Sequence, residues 1–461
     1  MRQIDLHKLT DEARFNGFHA MLLFWCTLVA LLDGYDIVIA GAALPSIMKQ
    51  MGVAAASAGF MLSSAIVGMA IGAVLFGTVA DRIGRRRAIT ICVTLFTVFT
   101  VLASFAHDPI TFSLLRLLTG LGLGGAVPCM VALLTEYSPS RIRTRIVTLM
   151  FTGFAFGAAM AAEMSKGLIA AYGWQVMFQA AGLSIVLVPF ILMLLPESMQ
   201  FLVKAGRTEE LEKTVAAFAP DFQLQADDQY VLPTSDKVDG APMQRLFREG
   251  RGFSTIMFWV ATFMCLLIVY ANASWLPKLM ISAGHDQGTA LHLLAILQVG
   301  IIVGTIFGGW LGDRLPLKKV LLAFFALATM SLGALGLDPA LWLLNLLIVV
   351  VGATTVGTQF LLYAYAGQFY PAAVRSTGVG WAAGLGRIGG IVGPILVGAL
   401  IATSIPLSFV FLILATVAAI AFIAVALIDP GRSASAGHEN SDAMASSTLS
   451  GAAGFGGQVR H

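Results

Sequence analysis

Twelve stretches of this chain are each long and apolar enough to cross a lipid bilayer as a helix. They run roughly over residues 19–48, 57–80, 88–106, 110–136, 146–170, 175–195, 254–280, 288–311, 317–336, 340–367, 377–403 and 406–428. A helix needs about 20 apolar residues to span the hydrocarbon core. In lipid every backbone polar group must be bonded internally, which leaves only helices and closed barrels. A barrel would show short alternating strands, and none are present. The expected fold class is therefore all-α and integral to a membrane, with twelve transmembrane helices. Composition excludes the soluble alternatives. With 58% hydrophobic and only 11% charged residues, the chain cannot cover a soluble enzyme's surface, present a basic face to nucleic acid, or remain disordered.

Lys and Arg set the expected orientation. With the N-terminus inside, 23 of the 28 Lys and Arg residues fall in cytoplasmic segments. Four more, Arg116, Lys166, Lys278 and Arg387, lie within spans, and Lys49 lies outside. Both termini are thus expected in the cytoplasm. Residues 1–18 contain Asp5, Asp11 and Glu12 and no small-residue cleavage site, so the first span is expected to be retained. The expected layout is a cytoplasmic N-terminus (1–18), a six-helix bundle (19–196), a cytoplasmic connector (197–252), a second bundle (253–430) and a disordered tail (431–461). A surface helix is expected within the connector around Glu209–Phe218.

The two halves repeat at a constant offset of 232 residues. Gly77, Asp81 and Arg82 match Gly309, Asp313 and Arg314; Gly120 and Gly125 match Gly352 and Gly357; Pro139 and Arg143 match Pro371 and Arg375. One offset serving three regions implies two pseudo-symmetric six-helix bundles in parallel orientation, with a substrate held between them.

The segment Gly77-Thr-Val-Ala-Asp81-Arg82-Ile-Gly84-Arg85-Arg86-Arg87 resembles the loop 2–3 signature of the major facilitator superfamily, and Gly309-Trp-Leu-Gly-Asp313-Arg314 resembles its second copy. Arg116-Leu-Leu-Thr-Gly120-Leu-Gly122-Leu-Gly124-Gly125 is similar to a further signature in span 4. Asp33-Gly34-Tyr35-Asp36 resembles the mark of the aromatic acid:proton symporters, and the opening residues are most like the benzoate permeases of that family. The resemblance implies the major facilitator fold and proton-driven import of an aromatic carboxylate, benzoate first. It also implies that Asp81, Arg82 and Arg85 latch spans 2 and 11 at the cytoplasmic mouth, with Asp313 and Arg314 as the repeat of that motif. Glu163 and Lys166 depart from the family's pattern, which is apolar there.

Charges within spans need partners or water, because even a lenient scale sets their cost at about 2.5–3.5 kcal/mol at the bilayer centre. Asp33 and Asp36 are spaced i,i+3, and two neighbouring carboxylates in low dielectric cannot both ionise cheaply. They form the expected proton site, with Arg116 at matching depth as partner or second anchor. Arg387, among small residues in Gly386-Arg387-Ile388-Gly389-Gly390, is the expected anchor for the substrate carboxylate. Phe24, Tyr35, Tyr270, Tyr363 and Tyr365 are candidates to meet an aromatic ring, with Tyr35 favoured, and Asn272, Gln298 and Gln359 are candidate polar contacts. Glu136 with Arg141, Arg143 and Arg145 is expected to form an inner latch, and Glu163 is expected to pair with Lys166 near the outer end of span 5. Protons, a small aromatic carboxylate and lipid are the expected partners of a monomer.

No enzyme activity, cofactor or metal is expected. Cys26, Cys92, Cys129 and Cys265 have no ligand spacing and are expected as buried hydrophobes. Competing readings are import of hydroxybenzoate, protocatechuate or muconate, an exporting antiporter, and a membrane sensor of aromatic acids. Span 5 reads Gly153-Phe-Ala-Phe-Gly157 without the proline of exporter signatures.

Overall fold

The computed structural model of the chain describes residues 2–220, 222, 228–231, 244, 246–248, 250–403 and 405–432. The tail expected to be disordered lies, from residue 433 onward, outside the described residues. Among the described residues, twelve helical spans are long and apolar enough to cross a membrane. Spans 1 to 6 are Gly17–Met51, Ala55–Ile83, Arg85–Ala103, Pro109–Tyr137, Ser140–Tyr172 and Gln175–Leu194. Spans 7 to 12 are Gly252–Ser282, Gln287–Arg314, Leu317–Leu335, Leu341–Phe369, Ala372–Ala402 and Leu407–Leu427. The chain is a multi-pass membrane protein.

Local chemistry sets several span ends. Asn16, Asp108 and Asp286 cap spans 1, 4 and 8 by accepting from backbone N–H groups of the first turn. Gly52, at φ 64°, ends span 1 in a left-handed turn that a side chain would resist. The connector carries the expected surface helix at Thr208–Phe218 and a strand, β2 (Asp228–Val231), that pairs in parallel with the N-terminal strand β1 (Arg2–Asp5). Asn16 Nδ2 bonds the carbonyls of Ala217 and Phe218, so the N-terminus and connector share one face of the bundle, here termed the terminal face. The other is the far face.

Two spans are less regular than expected. Span 10 is two helices, Leu341–Ala353 and Val356–Phe369, broken at Thr354-Thr355. Both threonine hydroxyls turn back onto carbonyls of their own turn, Thr354 to Val350 at 2.7 Å and Thr355 to Gly352 at 3.1 Å. Such back-bonding by β-branched residues competes with the helix ladder. Span 6 passes through a 3₁₀ segment at Ala181–Val186. Span 1, by contrast, runs unbroken through Gly34.

The 232-residue repeat has a structural cause. A Cβ on Gly68, Gly72 or Gly120 would strike the carbonyls of Leu117, Leu121 or Ala65, locking span 2 to span 4. Adding 232 to every number gives Gly300, Gly304 and Gly352 against Val349, Ala353 and Leu297, which lock span 8 to span 10. Gly157 against Leu31 in spans 5 and 1 likewise becomes Gly389 against Phe263 in spans 11 and 7. Lipid gives no hydrophobic drive for helix association, so close backbone approach at small residues supplies it. The repeat preserves those approaches while most side chains between them differ.

The two halves meet asymmetrically. One continuous apolar core at the far-face side draws buried residues from both halves, including Ile39, Ala58, Ala161, Trp275, Leu294 and Val397. Toward the terminal face each half has its own core, one around Cys92, Leu133 and Tyr137 and the other around Phe258, Phe325 and Phe369. The halves are therefore packed together through the far-face side and have separate cores toward the terminal face, with a small shared cluster of Ala155, Ile301 and Val356 between. All four cysteines are buried and free.

Candidate substrate and proton site

A cavity of about 390 Å³ lies between the halves, within the range of small-molecule sites. Its walls are mostly apolar: Ile37, Met69 and Leu123 from the first half, Leu266, Val269 and Leu297 from the second. Tyr270, Asn272, Gln298, Gln359 and Tyr363 add polar groups. Among the described residues only two charged side chains line it, Asp33 and Arg387. Phe151 of span 5 and Phe360 of span 10 meet across it, with ring centroids 5.2 Å apart. Both rings sit nearer the terminal ends of their helices than Asp33 or Arg387 do, so they narrow the route toward that face.

Arg387 reaches from span 11 into the first half, where Nη1 donates to the carbonyl of Met69 at 2.6 Å. Its neighbours Gly386 and Gly389 abut span 7 closely, which holds the base of the side chain against the cavity wall. The remaining guanidinium hydrogens provide a forked donor for a carboxylate. Asp33 is 5% exposed, and its Oδ1 has no hydrogen-bond partner. Asn272 donates to Ile268 O at 3.0 Å and leaves its own Oδ1 unpartnered. An isolated buried carboxylate is costly when ionised, whereas the protonated form carries a donor and no charge. Asp33 is thus chemically suited to hold a proton inside the cavity.

The expected trio of Asp33, Asp36 and Arg116 is split. Arg116 Nη1 donates to both oxygens of Asp36, at 2.9 and 2.8 Å, and Thr100 donates to Oδ1 at 2.6 Å. Asp36 is 1% and Arg116 3% exposed, and neither lines the cavity. The guanidinium carbon also lies 5.8 Å from the Phe178 ring centre. An i,i+3 step turns a side chain about 60° around the helix. That turn sends Asp33 into the central opening and Asp36 into the first bundle. Arg116 as substrate anchor is therefore corrected to a sealed ion-pair partner. Tyr35 is corrected too: its hydroxyl donates to Met177 O at 2.9 Å, away from the cavity. Of the other ring candidates, Tyr270 and Tyr363 line the cavity. Phe24 is 59% exposed, and Tyr365 packs against Phe258. Asn272, Gln298 and Gln359 all face the cavity.

At the terminal face, Arg85 pairs with Glu136, which also accepts from Ser198 Oγ and from Gln200 N at 2.7 Å. These contacts join the first half to its connector. Arg143 does not join Glu136 in a latch. It pairs with Asp11 at 3.5 Å, and its Nε donates to Ser138 O at 3.2 Å. The repeat reproduces the latter contact in Arg375 and Tyr370 O, at 3.5 Å. Asp81 and Arg82 are exposed and make no ion pair among the described residues, so spans 2 and 11 are not latched through them in this conformation. Asp313 is exposed as well, and Arg314 lies over the Trp310 ring at 4.2 Å. The sequence reading missed Glu197. It is 1% exposed and accepts from the backbone N–H of Arg86 at 3.1 Å, holding the start of span 3. Its acid at the end of an apolar run was the available signal.

Two pseudo-symmetric six-helix bundles around a central cavity define the class: a transporter rather than an enzyme. The chain belongs to the Major Facilitator Superfamily, whose profile matches residues 26–297 and 258–455. It is 40% identical to the benzoate transport protein of Acinetobacter baylyi over 94% of both chains. It is 35% identical to a gallate transporter of Pseudomonas putida, covering 89% of this chain and 92% of that one. A 4-hydroxybenzoate transporter of Pseudomonas putida is 33% identical, with 85% and 88% covered. Among solved structures the fold matches the partially occluded inward-open xylose transporter of E. coli, with a TM-score of 0.68, 18% identity and coverage of 88% and 97%.

Proposed function

We propose that this chain is a proton-coupled symporter that imports an aromatic carboxylate, benzoate foremost, by alternating access. Arg387 grips the carboxylate, Asp33 carries the proton, and Tyr270, Tyr363 and the apolar walls hold the ring. The observation that carries this reading is that, among the described residues, Asp33 and Arg387 are the two charged side chains lining the cavity. Empty, Arg387⁺ and Asp33⁻ sum to zero. Loaded with one anion and one proton, the site again sums to zero. An anion alone leaves it at −1 and a proton alone at +1, and a net charge in a low-dielectric site is costly. The halves therefore rock easily only when empty or fully loaded, and that is coupling. The names of the relatives support the aromatic acid as cargo.

The terminal face, in this reading, lies in the cytoplasm of a bacterium and the far face outside its inner membrane, with the protein acting as a monomer. The sealed far face and parted terminal face then correspond to an inward-facing state, in which Asp81 and Arg82 are released from span 11. Phe151 and Phe360 form the thin barrier below the site.

A labelled panel tests the substrate class in membrane vesicles: benzoate, hydroxybenzoates, protocatechuate and muconate, each with and without an uncoupler. Benzoate is expected to accumulate and to lose accumulation with the uncoupler. Muconate is expected to fail, because it lacks a ring and its second carboxylate meets no second cation among the described residues that line the cavity. Accumulation of muconate equal to benzoate, or benzoate uptake indifferent to the uncoupler, contradicts the proposal.

A further inference from the structure

The two charges that set this chain apart from its expected pattern, Glu163 and Lys166, lie on span 5 near the far face. Lys166 Nζ donates to Glu163 Oε2 at 2.6 Å, as their spacing suggested. It also lies 3.0 Å from Nδ1 of His292 on span 8, in the other half of the protein. That same ring nitrogen is 3.9 Å from Glu163 Oε1. All three side chains are partly exposed, at 27% for Lys166, 54% for Glu163 and 52% for His292. Directly inside them the packing is mostly apolar, with Ala158, Ala161 and Ala162 of span 5 and Leu293 and Leu294 of span 8 fully buried in one core. Other polar contacts between the halves, Ser63 to Ile391 O and Arg387 to Met69 O, end on backbone carbonyls. Here ionisable side chains from both halves meet.

We propose that Glu163, Lys166 and His292 form a clasp that holds the far face shut and is released when that face opens. The apolar seam supplies most of the closure, but it is non-directional. A clasp at its wet rim adds a contact with fixed partners that exists in the closed state alone. Glu163 orients Lys166, and Lys166 donates to the neutral His292 ring. The rim position suits a contact that is remade every cycle, because exposed charges regain water when they separate. Exposed pairs contribute little, so the clasp biases the closed state by only about 1.5- to 5-fold.

The clasp rests on the reading that the halves part at the far face, and the test separates the two. Spin labels at Tyr172→Cys and Leu337→Cys, both highly exposed positions in opposite halves, report far-face separation in lipid nanodiscs. The labelled parent is expected to show a short and a long distance, with benzoate altering their ratio. Lys166→Met and His292→Leu are each expected to raise the long-distance fraction about 1.5- to 5-fold, and the double variant no further. His292→Gln, which keeps an acceptor, is expected to restore the parent ratio. Two distances in the parent with no change in either single variant overturns the clasp alone, as does equal behaviour of His292→Gln and His292→Leu. One distance under all conditions overturns alternating opening, and the clasp with it.

Discussion

Asp33→Asn is expected to abolish proton-driven accumulation while leaving exchange of substrate intact. With one proton moved per anion, a gradient of one pH unit supports about tenfold accumulation, since 1.4 kcal/mol is a factor of ten. Asparagine is permanently neutral, as protonated Asp33 is, so the anion still binds beside Arg387 and the loaded site still crosses. The empty site is then left at +1 and returns poorly. Counterflow of labelled against unlabelled benzoate in proteoliposomes should persist, and the accumulation ratio should fall to about one. Asp36→Asn should fail differently. It strands Arg116 in a sealed pocket, and breaking a buried ion pair costs about 3–5 kcal/mol. Its thermal unfolding in detergent is expected well below that of Asp33→Asn. Equal stability of the two variants would show that Asp36 and Arg116 are not the structural pair described here.

Arg387→Gln is the second large effect. Removing one partner of a desolvated charge pair costs about 2–5 kcal/mol in binding, which weakens benzoate affinity by roughly 30- to several thousand-fold. Arg387→Lys keeps the charge but loses the fork, and should sit between the two at about tenfold. Equilibrium binding of labelled benzoate to purified protein measures both. Unchanged affinity in Arg387→Gln would remove it as the anchor. The Met69 carbonyl also loses its donor in that variant, so unfolding should be followed alongside binding.

Architecture was legible in the sequence because lipid imposes long apolar runs and because helix packing imposes small residues at fixed places. Gly68, Gly120 and Gly157 recur at the same offset as the signature loops because each must let a neighbouring carbonyl approach. The break at Thr354-Thr355 was not legible, since two threonines in an apolar run are compatible with a continuous helix. The cavity was half legible. Asp33 and Arg387 were identifiable from the cost of burying charge, and that same cost could not say which acid Arg116 would neutralise. A 60° difference in facing between Asp33 and Asp36 decides it, and depth along a helix carries no such information. Phe151 and Phe360 stayed hidden because phenylalanine is abundant, at 30 residues, and only three-dimensional placement shows that these two rings meet across the cavity. Arg85 was expected to latch span 11 and Glu136 to meet the arginines of the following loop, whereas the two pair with each other at the terminal face. Their joint contact with the connector depends on how span 6 ends, which no motif announces.

Central to this account is that an aromatic anion and a proton cross together through one neutral site. The direct measurement is internal pH in proteoliposomes carrying a trapped indicator, with benzoate added outside at a concentration where empty liposomes respond slowly. Wild-type protein should give rapid internal acidification, one proton for each labelled benzoate taken up, and Asp33→Asn under the same gradient should give no more than empty liposomes. Benzoate uptake by the wild type above that of empty liposomes without matching acidification, or full acidification through Asp33→Asn, would contradict it.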